Sequence, residues 1–153
     1  MTAVETDRQR GGVPRRLARM AANLVYRDID VHLPAEPIPD GPVLAVANHF
    51  GGLADGGLLV DSAPRMPRVV ARDGIWKVPV VGRLATGIGM IPVHKAADGG
   101  ARASNDEMFA SAYGALGDGD LVLIFPEGVT QDVPYMAEVR TGAARIVLGA
   151  RES

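Results

Sequence analysis

The chain contains no cysteine, and that one absence removes disulfides, cysteine-based zinc sites and thiol nucleophiles together. It is compatible with a cytosolic setting. Charge of one sign is not in excess either: the formal net charge is -2, so nothing global points to nucleic acid as a partner. No window approaches the roughly 18 consecutive apolar residues that a membrane-spanning helix needs. Residues 6–16 are polar and arginine-bearing, so the N-terminus lacks the apolar stretch of a secretory signal. Internal repeats and low-complexity tracts are lacking as well. What is present is ordinary for a globular domain. Apolar residues make up 47% and charged residues 22% of the 153, enough for a core, and the length fits one domain.

Residues 1–12 are polar, end in Gly11-Gly12, and are expected to form a flexible arm ahead of a domain over 13–153. Within that domain, 13–26 reads as a basic amphipathic helix. Val13, Leu17, Met20, Ala21, Leu24 and Val25 recur at helical spacing, with Arg15, Arg16 and Arg19 on other faces. Two fates are open to the apolar stripe: packing on the domain, the commoner outcome, or lying on an anionic membrane surface. Ile29, Val31 and Leu33 alternate with Asp30 and His32, as in a half-exposed strand. After a proline-rich connection, 43–47 is a short continuous apolar run, the pattern of a strand buried on both faces. Further runs at 68–71, 89–93 and 121–125 repeat it. A short helix is expected over 55–60. Another, opened by a Ser104/Glu107 capping box and stopped by Gly117, precedes the fourth run, and a last one spans 141–150. Alternating buried strands and helices predict an α/β fold with a mainly parallel central sheet flanked by helices.

In open sheets of this kind, ligands bind beyond the carboxyl ends of the strands. Asn48-His49 follows the first run and Pro126-Glu127-Gly128 follows the fourth, so parallel strands would bring His49 and Glu127 to one rim. Asp55 stands six positions beyond His49. A continuous helix would turn the side chain through about 240° over that distance. Gly51-Gly52 permits a tighter, non-helical turn, from which Asp55 can reach back to the imidazole. A carboxylate there fixes the tautomer and favours the imidazolium formed when the other nitrogen takes a proton. No serine or cysteine nucleophile motif accompanies the pair, which leaves a substrate hydroxyl as the proton donor. A plainer reading also fits these residues: a strand-end histidine satisfying local backbone, with Asp55 as a helix cap.

The segment from Asn48-His49 through Phe50-Gly51-Gly52-Leu53-Ala54 to Asp55 resembles the first block of the lysophospholipid and glycerol-phosphate acyltransferase (PlsC-type) family. Phe125-Pro126-Glu127-Gly128 matches its third block. Gly89-Met90-Ile91-Pro92-Val93 sits where the second block lies, and Pro134 to Arg145 resembles the glycerol-3-phosphate acyltransferase-like branch. Two correctly ordered blocks about 70 residues apart are specific in a way that a lone short motif is not. The resemblance implies an O-acyltransferase of phospholipid synthesis. A fatty acyl group would pass from acyl-CoA or acyl carrier protein, as co-substrate and without a further cofactor, to a hydroxyl of glycerol-3-phosphate or 1-acylglycerol-3-phosphate. It assigns His49 as general base and Asp55 as its orienting partner, with Asn48, Glu127 and Gly128 shaping the acceptor site. The acceptor phosphate needs cations, and Arg140, Lys95 and Arg145 are the candidates. Arg140 is the best placed, shortly after the Glu127 loop. His32 and His94 have no partner at metal-ligand spacing, so no metal site is expected.

The chain departs from the family pattern in places. Five residues separate His49 from Asp55, one more than is frequent in the family and the number found in the glycerol-phosphate branch. Block three continues Val129-Thr130-Gln131, without the usual arginine, and His94-Lys95 stands where block two usually has an arginine. The sequence stops at Ser153, ahead of the fourth block, so the domain is expected to be incomplete at its C-terminus. The expected location is cytoplasmic, peripheral to the inner face of the cell membrane. An alternative is a non-catalytic lipid- or membrane-binding remnant of the same fold. A dinucleotide-binding domain is disfavoured, since Gly87-Ile88-Gly89 lacks the third glycine and no Walker lysine pattern occurs. A hydrolase is disfavoured by the lack of Gly-x-Ser-x-Gly.

Overall fold

A computed structural model describes residues 12–32, 35–50, 52–94, 101–129 and 135–152. Residues 1–11 of the expected arm over 1–12, and Leu33, Gly51 and Lys95, lie outside the described residues, while Gly12 opens a helix. Helix α1 (Gly12–Val25) is followed by strand β1 (Val43–Val46), α2 (Leu53–Ser62) and β2 (Arg68–Arg72). A 3-10 turn (Asp73–Lys77), α3 (Pro79–Gly87), β3 (Ile91–Val93), α4 (Ala101–Gly117), β4 (Leu121–Ile124) and α5 (Gly142–Glu152) complete the order. The strands form one sheet in the order β1-β4-β2-β3. Every pairing is parallel, with Val43 opposite Leu121, Arg68 opposite Val122 and Val70 opposite Ile91. The fold is therefore α/β, as the alternation of apolar runs predicts.

The pleat of β4 sorts its side chains between two cores. On one face Val122 and Ile124 join Val70 and Ile91 beneath α4 and α5, through Met108, Phe109, Ala112, Leu116 and Ile146. On the other, Leu123 and Val69 meet Val60 of α2, with Ala18 of α1 packed alongside. All four residues of β4 are buried, as expected for an inner strand covered on both faces.

Four expectations about elements are corrected. The run at 43–47 reads as a strand buried on both faces, but β1 is a sheet edge and Val46 is 54% exposed. Residues 29–32 form no strand: an alternating pattern becomes a strand only where a neighbour takes its backbone hydrogen bonds, and none of the described strands lies beside it. Helix α4 begins at Ala101, so Ser104 stands inside its first turn rather than ahead of it; alanines extend a helix readily. The apolar stripe of α1 does not pack on the domain. Leu24 is 88% and Met20 63% exposed, with Val13, Leu17 and Val25 exposed too.

The face that α1 turns inward carries the buried Arg15 together with small side chains instead. Ala22 is 1% exposed, and a methyl group at Gly57 of α2 would stand 3.3 Å from the carbonyl oxygen of Ala18. The two helices thus meet almost backbone to backbone. Arg19 closes the contact with its guanidinium on Asp61, Nε lying 3.1 Å from each carboxylate oxygen. That hydrogen bond, and then the charge of Asp61, raises the Arg19 pKa. Among the described residues no helix is long and apolar enough to cross a membrane. Helix α3 and the 3-10 turn carry no strong apolar period. Their local signal is Pro79 in the first helical turn, where a missing N–H costs nothing and φ is already set.

Candidate active site

All strands being parallel, their carboxyl ends share one rim, and the loops leaving β1 and β4 are neighbours there. His49 follows β1 by three residues. Its Nδ1 lies 3.2 Å from Oδ2 of Asp55, which sits in the first turn of α2. Gly52 makes this meeting geometrically available, with φ 62° and ψ -130°, a conformation that side-chain-bearing residues avoid. Both side chains are mostly buried, at 18% and 16% exposure.

Phe125, one residue beyond β4, stacks on the imidazole with centroids 4.1 Å apart and planes 19° from parallel. The ring is thus held by a hydrogen-bond partner at one edge and an aromatic surface on one face. With Nδ1 turned to Asp55, Nε2 is the nitrogen left for a substrate. A third group touches the carboxylate: the hydroxyl of Tyr26, just past α1, donates to Oδ1 of Asp55 at 3.4 Å. Lost solvent, and then the charge and hydrogen bond of Asp55, raise the Tyr26 phenol above its ordinary value, so it stays a donor.

Glu127 is 1% exposed, and a buried carboxylate needs partners. Its Oε1 accepts from the backbone N–H of His49 at 3.0 Å and its Oε2 from that of Ala137 at 2.9 Å. The side chain that sequence assigns to the acceptor site therefore ties three segments together beneath it. Gly128 follows with φ 64°, which turns the chain sharply outward. A methyl group there would stand 3.4 Å from Cδ and Nε of Arg140, and the N–H of Arg140 donates to the carbonyl of Pro126 at 2.9 Å. Arg72, the last residue of β2, approaches the same turn, its Nη2 donating to the carbonyl of Gly128 at 3.3 Å.

Of the residues predicted from sequence, His49, Asp55, Glu127, Gly128 and Arg140 converge on this rim. Asn48 is exposed beside His49. Arg145 lies over the ring of Phe109 on α4, its guanidinium carbon 4.1 Å from the centroid, which gives it a packing role. His94 pairs with Asp73, Nδ1 to Oδ2 at 3.2 Å, at the ends of β3 and β2. Among the described residues no cluster of three or more His, Asp or Glu fit to hold a metal occurs. Sequence reasoning missed Phe125 as a ring partner, Arg72 and Tyr26. Arg72 was discoverable, because it ends an apolar run just as His49 follows one; Tyr26 carries no local signal.

Comparison with curated proteins and with solved structures gives no match. A family model does match: that of the acyltransferases, over residues 28–151. Those residues hold the His49–Asp55 pair and the Phe125-Pro126-Glu127-Gly128 turn as well as all four strands. Ordered blocks and shared rim agree with it, and the chain belongs to the acyltransferase family of PlsC type.

Proposed function

We propose that the protein transfers a fatty acyl group from a thioester, acyl-CoA or acyl carrier protein, to a hydroxyl of glycerol-3-phosphate or 1-acylglycerol-3-phosphate. The observation that carries this reading is the His49–Asp55 contact of 3.2 Å at the strand-end rim. The acceptor hydroxyl gives its proton to Nε2 of His49 as its oxygen attacks the thioester carbonyl, while Asp55 stabilises the imidazolium. Collapse of the tetrahedral intermediate breaks the carbon–sulfur bond. The departing thiolate takes the proton back from His49, leaving an ester and a free thiol. A thioester is already activated, so holding the alcohol against it is most of the work.

Arg140 and Arg72 flank the Gly128 turn, and planar guanidinium groups suit phosphate oxygens. They are the cations proposed for the acceptor phosphate. Asn48 is a proposed contact at the same rim, and Lys95 a further candidate from sequence. The exposed apolar row of α1 supports docking on an anionic membrane surface, with Arg16 and Arg27 also exposed. The proposed place of action is the inner face of the cell membrane. That row equally favours a second reading, lipid binding without turnover.

Thiol release from acyl-CoA, with and without each acceptor, separates the two. Acceptor-dependent release that falls roughly 10²- to 10⁴-fold in His49→Ala supports the transferase. A His49→Ala protein with near-normal rate ends the general-base assignment, and vesicle binding with no acceptor-dependent release favours the second reading.

A further inference from the structure

Tyr26 stands ahead of the matched segment 28–151, yet its side chain reaches the carboxylate on which the base depends. It is not loosely placed. Its backbone N–H still donates to the carbonyl of Ala22 at 2.8 Å, so the last turn of α1 carries it. Helix α1 runs antiparallel to α2: Arg19 meets Asp61 near the end of α2, Ala18 meets Gly57 in the middle, and Tyr26 meets Asp55 in the first turn. The two oxygens of Asp55 are thereby divided. Oδ2 faces Nδ1 of His49 at 3.2 Å and Oδ1 accepts from Tyr26 at 3.4 Å. A carboxylate held through both oxygens resists rotation about its last side-chain bond, where a broad range of angles is otherwise open.

We propose that Tyr26 is a positioning residue for the acyl transfer, fixing the plane of Asp55 so that Asp55 in turn fixes the His49 ring. This rests on the reading of His49 as general base. Tyr26 touches no substrate; it acts through the carboxylate alone. Its effect therefore belongs in kcat, since misorienting the base weakens the transition state more than it weakens substrate binding. Its effect must also vanish when its acceptor is gone, because residues acting through one shared group are not additive.

The test is Tyr26→Phe, which deletes one oxygen and keeps the ring, made in the wild-type and Asp55→Ala backgrounds with His49→Ala as control. In the wild-type background kcat is expected to fall about five- to twentyfold, with KM for donor and acceptor within about twofold. The melting temperature should hold within about 2 °C. In the Asp55→Ala background the same replacement should change kcat by less than about twofold. A normal kcat in Tyr26→Phe, a loss seen only in KM, or equal losses in both backgrounds overturns the proposal. An inactive His49→Ala beside a normal Tyr26→Phe removes only the role of Tyr26. A fully active His49→Ala removes the general base itself.

Discussion

At the scale of single residues, Glu127 shows how a motif position can act as a buried tie between segments. Both of its oxygens accept backbone N–H groups, from His49 and Ala137, so the carboxylate cannot be replaced by its amide without loss. In Glu127→Gln one of those N–H groups must face an NH2 group. The expected cost is about 1–3 kcal/mol of stability, the usual penalty for an orphaned buried donor, together with a lower kcat because His49 loses its tether. Thermal unfolding and steady-state rates check this, and unchanged stability would mean that the carboxylate is not the splint it is taken for. The type and order of the site residues were legible in the sequence. Their division of labour was not, because burial of Glu127 and stacking of Phe125 on His49 depend on which strands become neighbours.

At the scale of elements, α1 inverts the usual arrangement of an amphipathic helix. Small residues and Arg15 face the protein and large apolar ones face outward, an arrangement that periodicity cannot distinguish from the reverse. The spacing predicted the helix; the face it presents goes with Gly57, whose missing side chain permits the close approach of Ala18. If the outward row docks on lipid, Met20→Glu with Leu24→Glu should weaken co-sedimentation with anionic vesicles by about tenfold or more. Both side chains are exposed, so the fold should be unaffected. Undiminished binding by the double variant would assign the attraction elsewhere. Strands β2 and β4 were readable as continuous apolar runs. Edge strand β1 gave the same signal, since a run of apolar residues does not say how many neighbours a strand will have.

At the scale of the molecule, stability rests on one sheet covered by α4 and α5 on one side and α2 on the other. Ile146 is the key residue of the α5 contact, fully buried among Phe109, Val122 and Ile124. Ile146→Ala should cost about 2–5 kcal/mol, lowering the melting temperature by roughly 2–4 °C for each of them. Because α5 begins two residues after Arg140, activity should be lost at lower temperature in step with unfolding; calorimetry beside a thermal activity profile measures both. The order β1-β4-β2-β3 has one more consequence. Strand β4 stands between the strand that delivers the imidazole and the strand that ends in Arg72. Neighbouring strands are about 4.8 Å apart, so the outer two are separated by roughly 10 Å. The sheet acts as a ruler. If the proposed acceptor gives its alcohol to His49 and its phosphate to Arg72, it lies crosswise over the loop that leaves β4, and the backbones that carry those two side chains stand two strand spacings apart.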